Sequence, residues 1–202
     1  MELDVILQEL AQPPFKKQIT VAQLQGEGSE GLSVFQLIQL IQEVVLHIEE
    51  TNPQSVHLQV DLYTEGADNT VQRLLGFLQL MRYQPTHGSD QKISLWVHME
   101  SNFSWLKIVP DFHSDQLKQD LLAGDRKSIL SILYFLLTQK SALKKRAYLA
   151  PYLTPVDVAS EFQHDQTIQE LLQRYAGMQE EFKSTHIQYD QLKQQQTTVD
   201  MI

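Results

Sequence analysis

The sequence predicts a mainly α-helical fold with small β elaborations, followed by a C-terminal coiled-coil helix. Two observations support this fold class. Apolar residues recur at helical spacing in several segments before residue 155, and a narrow apolar seam with a 3.5-residue period begins at Ile168. The 202 residues, 42% of them hydrophobic, suffice for one domain with a real core plus an appendage. We therefore place a helical domain at residues 1–155 and a linker with the start of a coiled coil at residues 156–202.

The first half of the domain is predicted to contain three helices. A short N-terminal helix should stop before Pro13-Pro14, because proline cannot continue a helix. Ser33 followed by Gln36 has the form of a capping box and should begin the second helix. Asp68 or Asn69 is expected to cap the third helix.

Three segments in the first 100 residues have the character of strands. Residues 56–62 alternate apolar and polar side chains, which is typical of a half-buried strand. Residues 93–99 alternate too, and either a second strand or an elaborated loop fits them. Residues 19–24 form a possible strand before a glycine-rich loop.

The second half of the domain is predicted to be helical. Helical signals occupy residues 116–122 and strengthen at 128–137, where the side chains are apolar nearly all round. A helix of that kind lies at the centre of a core. Residues 140–152 should form the last helix of the domain, with Pro151 and Pro155 marking its end.

The chain changes character after Pro155. Apolar and aromatic residues recur there at alternating spacings of three and four, which is the heptad seam of a coiled coil. The alternative is an amphipathic helix that folds back onto the domain. The seam residues are Ile168, Leu171, Tyr175, Met178, Phe182, Thr185, Tyr189 and Leu192.

Positive charge is concentrated in one part of this acidic chain, whose formal net charge is −9. Residues 116–150, here called the basic segment, hold seven cations and two acids, whereas residues 1–115 hold six cations and fifteen acids. Lys144, Lys145 and Arg146 form its densest part. Such a concentration predicts docking onto an acidic partner, and a merely solvated helix face is the alternative.

One motif raises an enzymatic alternative. Residues 26–31 read G-x-G-x-x-G between a possible strand and a helix, which is the order of a dinucleotide site. Glu27 and Glu30 oppose this interpretation, because they would place negative charge where a pyrophosphate binds. A flexible Gly/Glu loop is the better interpretation.

Composition narrows the remaining classes of function. The chain has no cysteine, which excludes disulfides and cysteine-ligated zinc, and its seven histidines show no ligand spacing. We therefore predict no catalytic residue, metal or cofactor. An acidic chain argues against general nucleic-acid binding, and no apolar run reaches the ~20 residues that membrane insertion needs.

Several stretches together resemble the intraflagellar transport 81 family. The most specific is Ala142-Leu143-Lys144-Lys145-Arg146-Ala147-Tyr148-Leu149-Ala150, followed by Val158-Ala159-Ser160-Glu161-Phe162. Pro14-Phe15, Arg82-Tyr83-Gln84-Pro85 and Gly124-Asp125-Arg126-Lys127 agree in order and spacing. The likeness covers residues 1–85 loosely and residues 114–193 well.

The resemblance implies a calponin-homology-like domain in a non-enzymatic subunit of the IFT-B complex. Such a subunit works in the cilium or flagellum, at the ciliary base and in the cytoplasm, next to other IFT-B subunits. Its domain would bind tubulin, and its coiled coil would pair with intraflagellar transport protein 74. The alternative is a purely architectural domain that caps the coiled coil. By position, the implied tubulin-binding residues are Lys144, Lys145, Arg146, Arg126, Lys127, Lys118, Arg73 and Arg82.

The chain also departs from the family pattern. Gln72 and Gln84 stand where further cations are expected, so the family's basic positions carry over incompletely to this chain. A second possibility within the family is that Arg146 has a structural ion pair while only the lysines are exposed. Tyr148 and Leu149 are expected in the core rather than in a contact with a partner.

Overall fold

The computed structural model describes residues 2–26, 31–50, 64–84, 114–153, 156 and 158–199, and every regular element within them is helical. The predicted mainly helical fold is confirmed, whereas the predicted strands at 56–62 and 93–99 lie outside the described residues. The elements are α1 (Glu2–Ala11), α2 (Val21–Gln25), α3 (Val34–Ile48), α4 (Ala67–Leu80), α5 (Ser114–Ala123), α6 (Arg126–Thr138), α7 (Lys140–Leu153), a 3₁₀ turn (Ser160–Phe162) and α8 (Gln166–Val199).

Helix α6 is the centre of the domain core. It packs against α1, α3 and α5, and Ile129, Ile132, Leu133 and Leu136 are completely buried. Full burial of a large aliphatic side chain stabilises a fold by ~1.5–3 kcal/mol, so this helix contributes much of the hydrophobic stabilisation. The prediction of a central helix at residues 128–137 is confirmed.

Helices α2 and α3 each begin with a capping box. The Ser33 hydroxyl accepts a hydrogen bond from the Gln36 backbone N–H at 3.2 Å, and the Gln36 side chain accepts one from the Ser33 N–H at 2.8 Å, as predicted. Thr20 and Gln23 make the same reciprocal pair. The prediction of a strand at 19–24 is therefore wrong, because this second box starts α2.

Helix α4 differs from its predicted start. It begins at Ala67 after Gly66, which makes no side-chain cap, so the prediction of a cap at Asp68 or Asn69 is wrong. Asp68 lies instead in the first turn, where its charge complements the helix dipole. At the other end Arg82 adopts a left-handed φ of 57°, and the N–H of Tyr83 returns to the Leu78 carbonyl at 2.9 Å.

Helix α7 runs on past its predicted end. It stops at Leu153, one residue beyond the predicted bound of 152, and Pro151 lies inside its last turn. The prediction of a helix at residues 140–152 is therefore confirmed. Proline is tolerated there at the loss of one backbone hydrogen bond in the final turn. Among the described residues, one compact unit ends at Leu149 and a second begins at Ala150.

The second unit is dominated by α8. Asp165 accepts hydrogen bonds from the backbone N–H groups of Thr167 and Ile168, at 2.8 and 3.1 Å, and so fixes the start of the helix. Tyr152 stacks on Phe182 with ring centroids 4.9 Å apart, and Gln179 donates to the Tyr152 carbonyl. Within the described residues, no helix combines the length and the apolar character that crossing a membrane requires.

Candidate functional site

Arg126, one of the predicted tubulin-binding residues, ties together the first part of the domain. Its guanidinium donates to the Leu24 carbonyl at 3.0 Å and also to the Leu32 carbonyl. Gly26 makes room for it, because a Cβ on that residue would come within 2.4 Å of the guanidinium. The Arg126 side chain therefore holds α2 next to the start of α3.

Arg146 has a comparable role at the end of α4. Its Nε donates to the Leu80 carbonyl at 2.6 Å. Burial lowers the pKa of the Arg146 guanidinium to about 10, and the nearby positive charge of Arg82 acts in the same direction. The structural role anticipated for Arg146 is thus present, with a backbone carbonyl as its partner at Leu80. Burial lowers the pKa of the half-buried Arg82 as well.

Arg73 is the third predicted residue whose side chain serves the fold. Its guanidinium binds both oxygens of Glu65, at 2.6 and 3.2 Å, and donates to Gln42 at 2.9 Å. Thr70 adds a hydrogen bond to the same carboxylate. With the side chain only 9% exposed, Arg73 belongs to an internal network that links α3 and α4.

The lysines of the basic segment lie closer to solvent, and three have a carboxylate of this chain beside them. Lys140 Nζ is 2.6 Å from Glu9, Lys144 Nζ is 3.6 Å from Glu50, and Lys118 Nζ is 3.8 Å from Asp68. The side chains of Lys127 and Lys145 are exposed. Within the basic segment, the lysines are therefore better placed to meet a partner than Arg126 and Arg146, whose guanidinium groups donate to backbone carbonyls.

Sequence reasoning missed a cluster around His47 at the end of α3. The His47 ring packs edge-on against Phe15, with centroids 5.4 Å apart, and its Nδ1 is 3.4 Å from Glu50. Burial lowers the pKa of His47, the charge of Lys144 lowers it further, and Glu50 acts in the opposite direction. The i,i+3 spacing of His47 and Glu50 is a local signal that could have revealed part of this cluster.

The residues of the predicted heptad seam differ in exposure. Ile168, Tyr175 and Phe182 are half-buried. The remaining apolar and aromatic seam residues, here called the exposed stripe, are open to solvent: Leu171 is 60% exposed, Met178 59%, Tyr189 58% and Leu192 65%. The Tyr152–Phe182 stack explains part of this difference, and the exposed stripe is unlike a helix whose apolar face is covered.

The G-x-G-x-x-G alternative loses its structural basis. A dinucleotide site needs a strand before the loop, whereas α2 occupies that place. Gly26 is explained by its left-handed φ of 75° and by Arg126, and residues 27–30 lie outside the described residues. In the parts of the chain that the structure describes, no three His, Asp or Glu side chains group as a metal site requires.

Leu149 is buried as expected, but the expectation for Tyr148 is wrong, because its side chain is 40% exposed. Tyr148 follows Lys144 by one turn of α7. Its exposed ring adds apolar area to the outer face of that helix.

A helical domain with lysines at its surface and a long helix with a heptad seam together define the class of helical domains joined to a coiled-coil helix. The family model described as "Intraflagellar transport 81 calponin homology domain" matches residues 1–104 and 102–157. The chain therefore belongs to the intraflagellar transport 81 calponin homology domain family.

Named relatives agree with this assignment. The chain is 28% identical over 192 residues to the human intraflagellar transport protein 81 homolog and 29% identical to intraflagellar transport protein 81 of Chlamydomonas reinhardtii. Each alignment covers 95% of this chain. The chain spans about a quarter of the length of these relatives, 24% and 23% respectively.

Proposed function

We propose that this chain acts as part of a non-enzymatic IFT-B subunit in intraflagellar transport. Its places of action would be the cilium or flagellum, the ciliary base and the cytoplasm. Membership of the intraflagellar transport 81 calponin homology domain family supports this proposal, as do relatives that bear the name of intraflagellar transport protein 81.

We further propose that the domain binds tubulin, and that the lysines of α7 make the central contact. The observation that carries this proposal is the orientation of three consecutive cations: Lys145 is exposed, Lys144 is half-buried at the surface, and Arg146 is turned inward to Leu80. Single exposed ion pairs contribute ~0–1 kcal/mol, so other cations of the basic segment, such as Lys127 and Lys118, must act with them. Because the chain carries a net charge of −9 and tubulin is also acidic, binding should be modest and sensitive to salt.

The test is a tubulin titration of a charge-reversed Lys144→Glu/Lys145→Glu variant. Arg146 must be left intact, because a glutamate there would place a carboxylate beside the Leu80 carbonyl and should destabilise the domain. Arg174→Glu/Lys183→Glu in α8 is the matched control, since it changes the net charge equally. Loss of tubulin binding in the α7 variant alone supports the proposal, and equal binding by both variants refutes it.

The exposed stripe of α8 has a proposed role of its own. We propose that Leu171, Met178 and Leu192 pack against a helix of intraflagellar transport protein 74. Their exposed fractions of 60%, 59% and 65% leave apolar area that a partner helix would bury. Contacts with other IFT-B subunits would extend this assembly.

A specific observation favours the architectural alternative. Lys118, Lys140 and Lys144 already have carboxylates of this chain within 4 Å, so the basic segment is less positive than its residue count suggests. On this alternative the domain caps the coiled coil and contacts only transport subunits. A tubulin affinity no higher than that for an unrelated acidic protein would favour it.

A further inference from the structure

Glu50 lies beside His47 and beside Lys144, one of the proposed tubulin-binding lysines. One of its carboxylate oxygens, Oε2, is 3.6 Å from Lys144 Nζ and 3.4 Å from His47 Nδ1. Glu50 follows α3, whereas Lys144 lies on α7, so the contact joins separate elements. The Glu50 side chain is 66% exposed and can therefore leave without disturbing the core.

The neighbouring ion pair shows what a structural contact looks like in the same region. Lys140 Nζ is 2.6 Å from Glu9, in a less exposed setting, and also lies 5.7 Å from the centre of the Phe15 ring. The Lys144–Glu50 distance of 3.6 Å is too long for a good hydrogen bond. The Glu9 pair thus belongs to the fold, while the Glu50 pair is loose and exchangeable.

We propose that Glu50 is an internal competitor that occupies Lys144 until a carboxylate of an acidic ligand displaces it. The inference rests on the proposed binding of tubulin through Lys144. When a ligand carboxylate replaces the Glu50 carboxylate at Lys144, one ion pair is exchanged for another. The affinity for the ligand therefore gains little at this lysine unless the displaced Glu50 pairs with a second group. Glu50 therefore lowers the affinity of Lys144 for an acidic ligand.

His47 is the second partner. It faces Glu50 at the end of its own helix, Lys140 and Lys144 from α7, and the Phe15 ring, while Glu43 one turn earlier is held by Lys17 at 2.7 Å. When His47 is protonated, it offers Glu50 a cation 3.4 Å away and adds positive charge to the face. Because the fold lowers the pKa of His47 below the ordinary 6.5, tubulin binding should strengthen as the pH falls through this lower folded value.

The experiment is a titration of the whole chain carrying Glu50→Gln, with tubulin and separately with a glutamate-rich peptide. We expect about two- to fivefold tighter binding, since releasing an exposed pair is worth less than ~1 kcal/mol. Glu180→Gln in α8, which removes a carboxylate that pairs with Lys183, is the matched control and should bind as the parent does. In a Lys144→Gln background the gain from Glu50→Gln should disappear, as a double-mutant cycle requires.

A readout without any ligand tests the geometry itself. Titration of His47 by NMR should show a lower pKa in Glu50→Gln and a higher pKa in Lys144→Gln, because the carboxylate raises it and the lysine lowers it. Binding of both probes that is unchanged by Glu50→Gln would overturn the inference. If the peptide binds and gains from Glu50→Gln while tubulin does not bind, the competitor role stands and the tubulin proposal fails. Absence of binding by both probes would overturn both.

Discussion

The arginines and the lysines of the basic segment have different surroundings in this domain. Arg126 and Arg146 turn inward and donate to backbone carbonyls of distant helices, whereas Lys127 and Lys145 are exposed. A guanidinium keeps its charge when buried and spans several acceptors, while an ammonium is more strongly hydrated. The cations counted in the sequence therefore have two structural roles. Some hold helices together by hydrogen bonds to backbone carbonyls, and others are exposed at the surface.

Removing an inward arginine should have the largest effect. Arg126→Met leaves the carbonyls of Leu24 and Leu32 without this donor, and we expect a loss of about 1.5–3 kcal/mol in the free energy of unfolding. Chemical denaturation measures it. Lys127→Met, one residue away on the exposed side, should change stability by less than ~0.5 kcal/mol. Equal losses of unfolding free energy in the two variants would show that Arg126 supports the fold no more than the exposed Lys127 does.

The exposed stripe of α8 extends the comparison to apolar side chains. Leu171→Asp should leave the unfolding free energy of the chain nearly unchanged, because the residue is 60% exposed. It should weaken pairing with a partner helix about tenfold or more, because a carboxylate would then be buried in the seam. Sedimentation with intraflagellar transport protein 74 measures the pairing. A large loss in the unfolding free energy of the chain alone would mean that Leu171 is buried by other residues of this chain and is not free to pair with a partner helix.

The smallest expected effect is a pH dependence of the unfolding free energy at His47, which lies near Lys140 and Lys144 of the basic segment. The pKa of His47 is lowered in the fold, so the unfolded chain takes up this proton more readily. The stability that neutral His47 contributes is complete above about pH 6.5 and is lost as the pH falls through the lower folded value.

Denaturation curves at several pH values for the parent and for His47→Gln isolate this contribution. The parent should lose more stability than the variant on acidification, since the other six histidines are common to both chains. Parallel pH profiles would show that His47 is not held in its neutral form by the fold.

Much of the helical core could be predicted from local sequence patterns. The apolar run of α6 identified the central helix, and Ser33 with Gln36 identified the start of α3. The wrong prediction of a strand at residues 19–24 could have been avoided from local sequence, because Thr20 and Gln23 have the same capping-box spacing. The start of α4 could not be found in this way, since Gly66 makes no side-chain cap.

The site was less predictable because its contacts are distant in sequence. Arg126 reaches a carbonyl 102 residues away, Arg146 one that is 66 residues away, and Lys140 a carboxylate 131 residues away. No helical period or charge count contains such information. Sequence reasoning could therefore locate the basic segment and raise an inward Arg146 as an alternative, but it could not identify the Leu80 carbonyl as the partner or detect the inward role of Arg126.

We propose that the lysines of α7 recognise tubulin while Arg146, beside them in the sequence, supports the fold. The most direct test measures tubulin affinity and the unfolding free energy together in Lys144→Gln/Lys145→Gln and in Arg146→Met. We predict that the lysine variant keeps its stability and loses affinity, whereas Arg146→Met loses about 1–3 kcal/mol and, where still folded, keeps its affinity. A lysine variant that binds tubulin as the parent does, or an arginine variant that remains as stable as the parent, would contradict the claim.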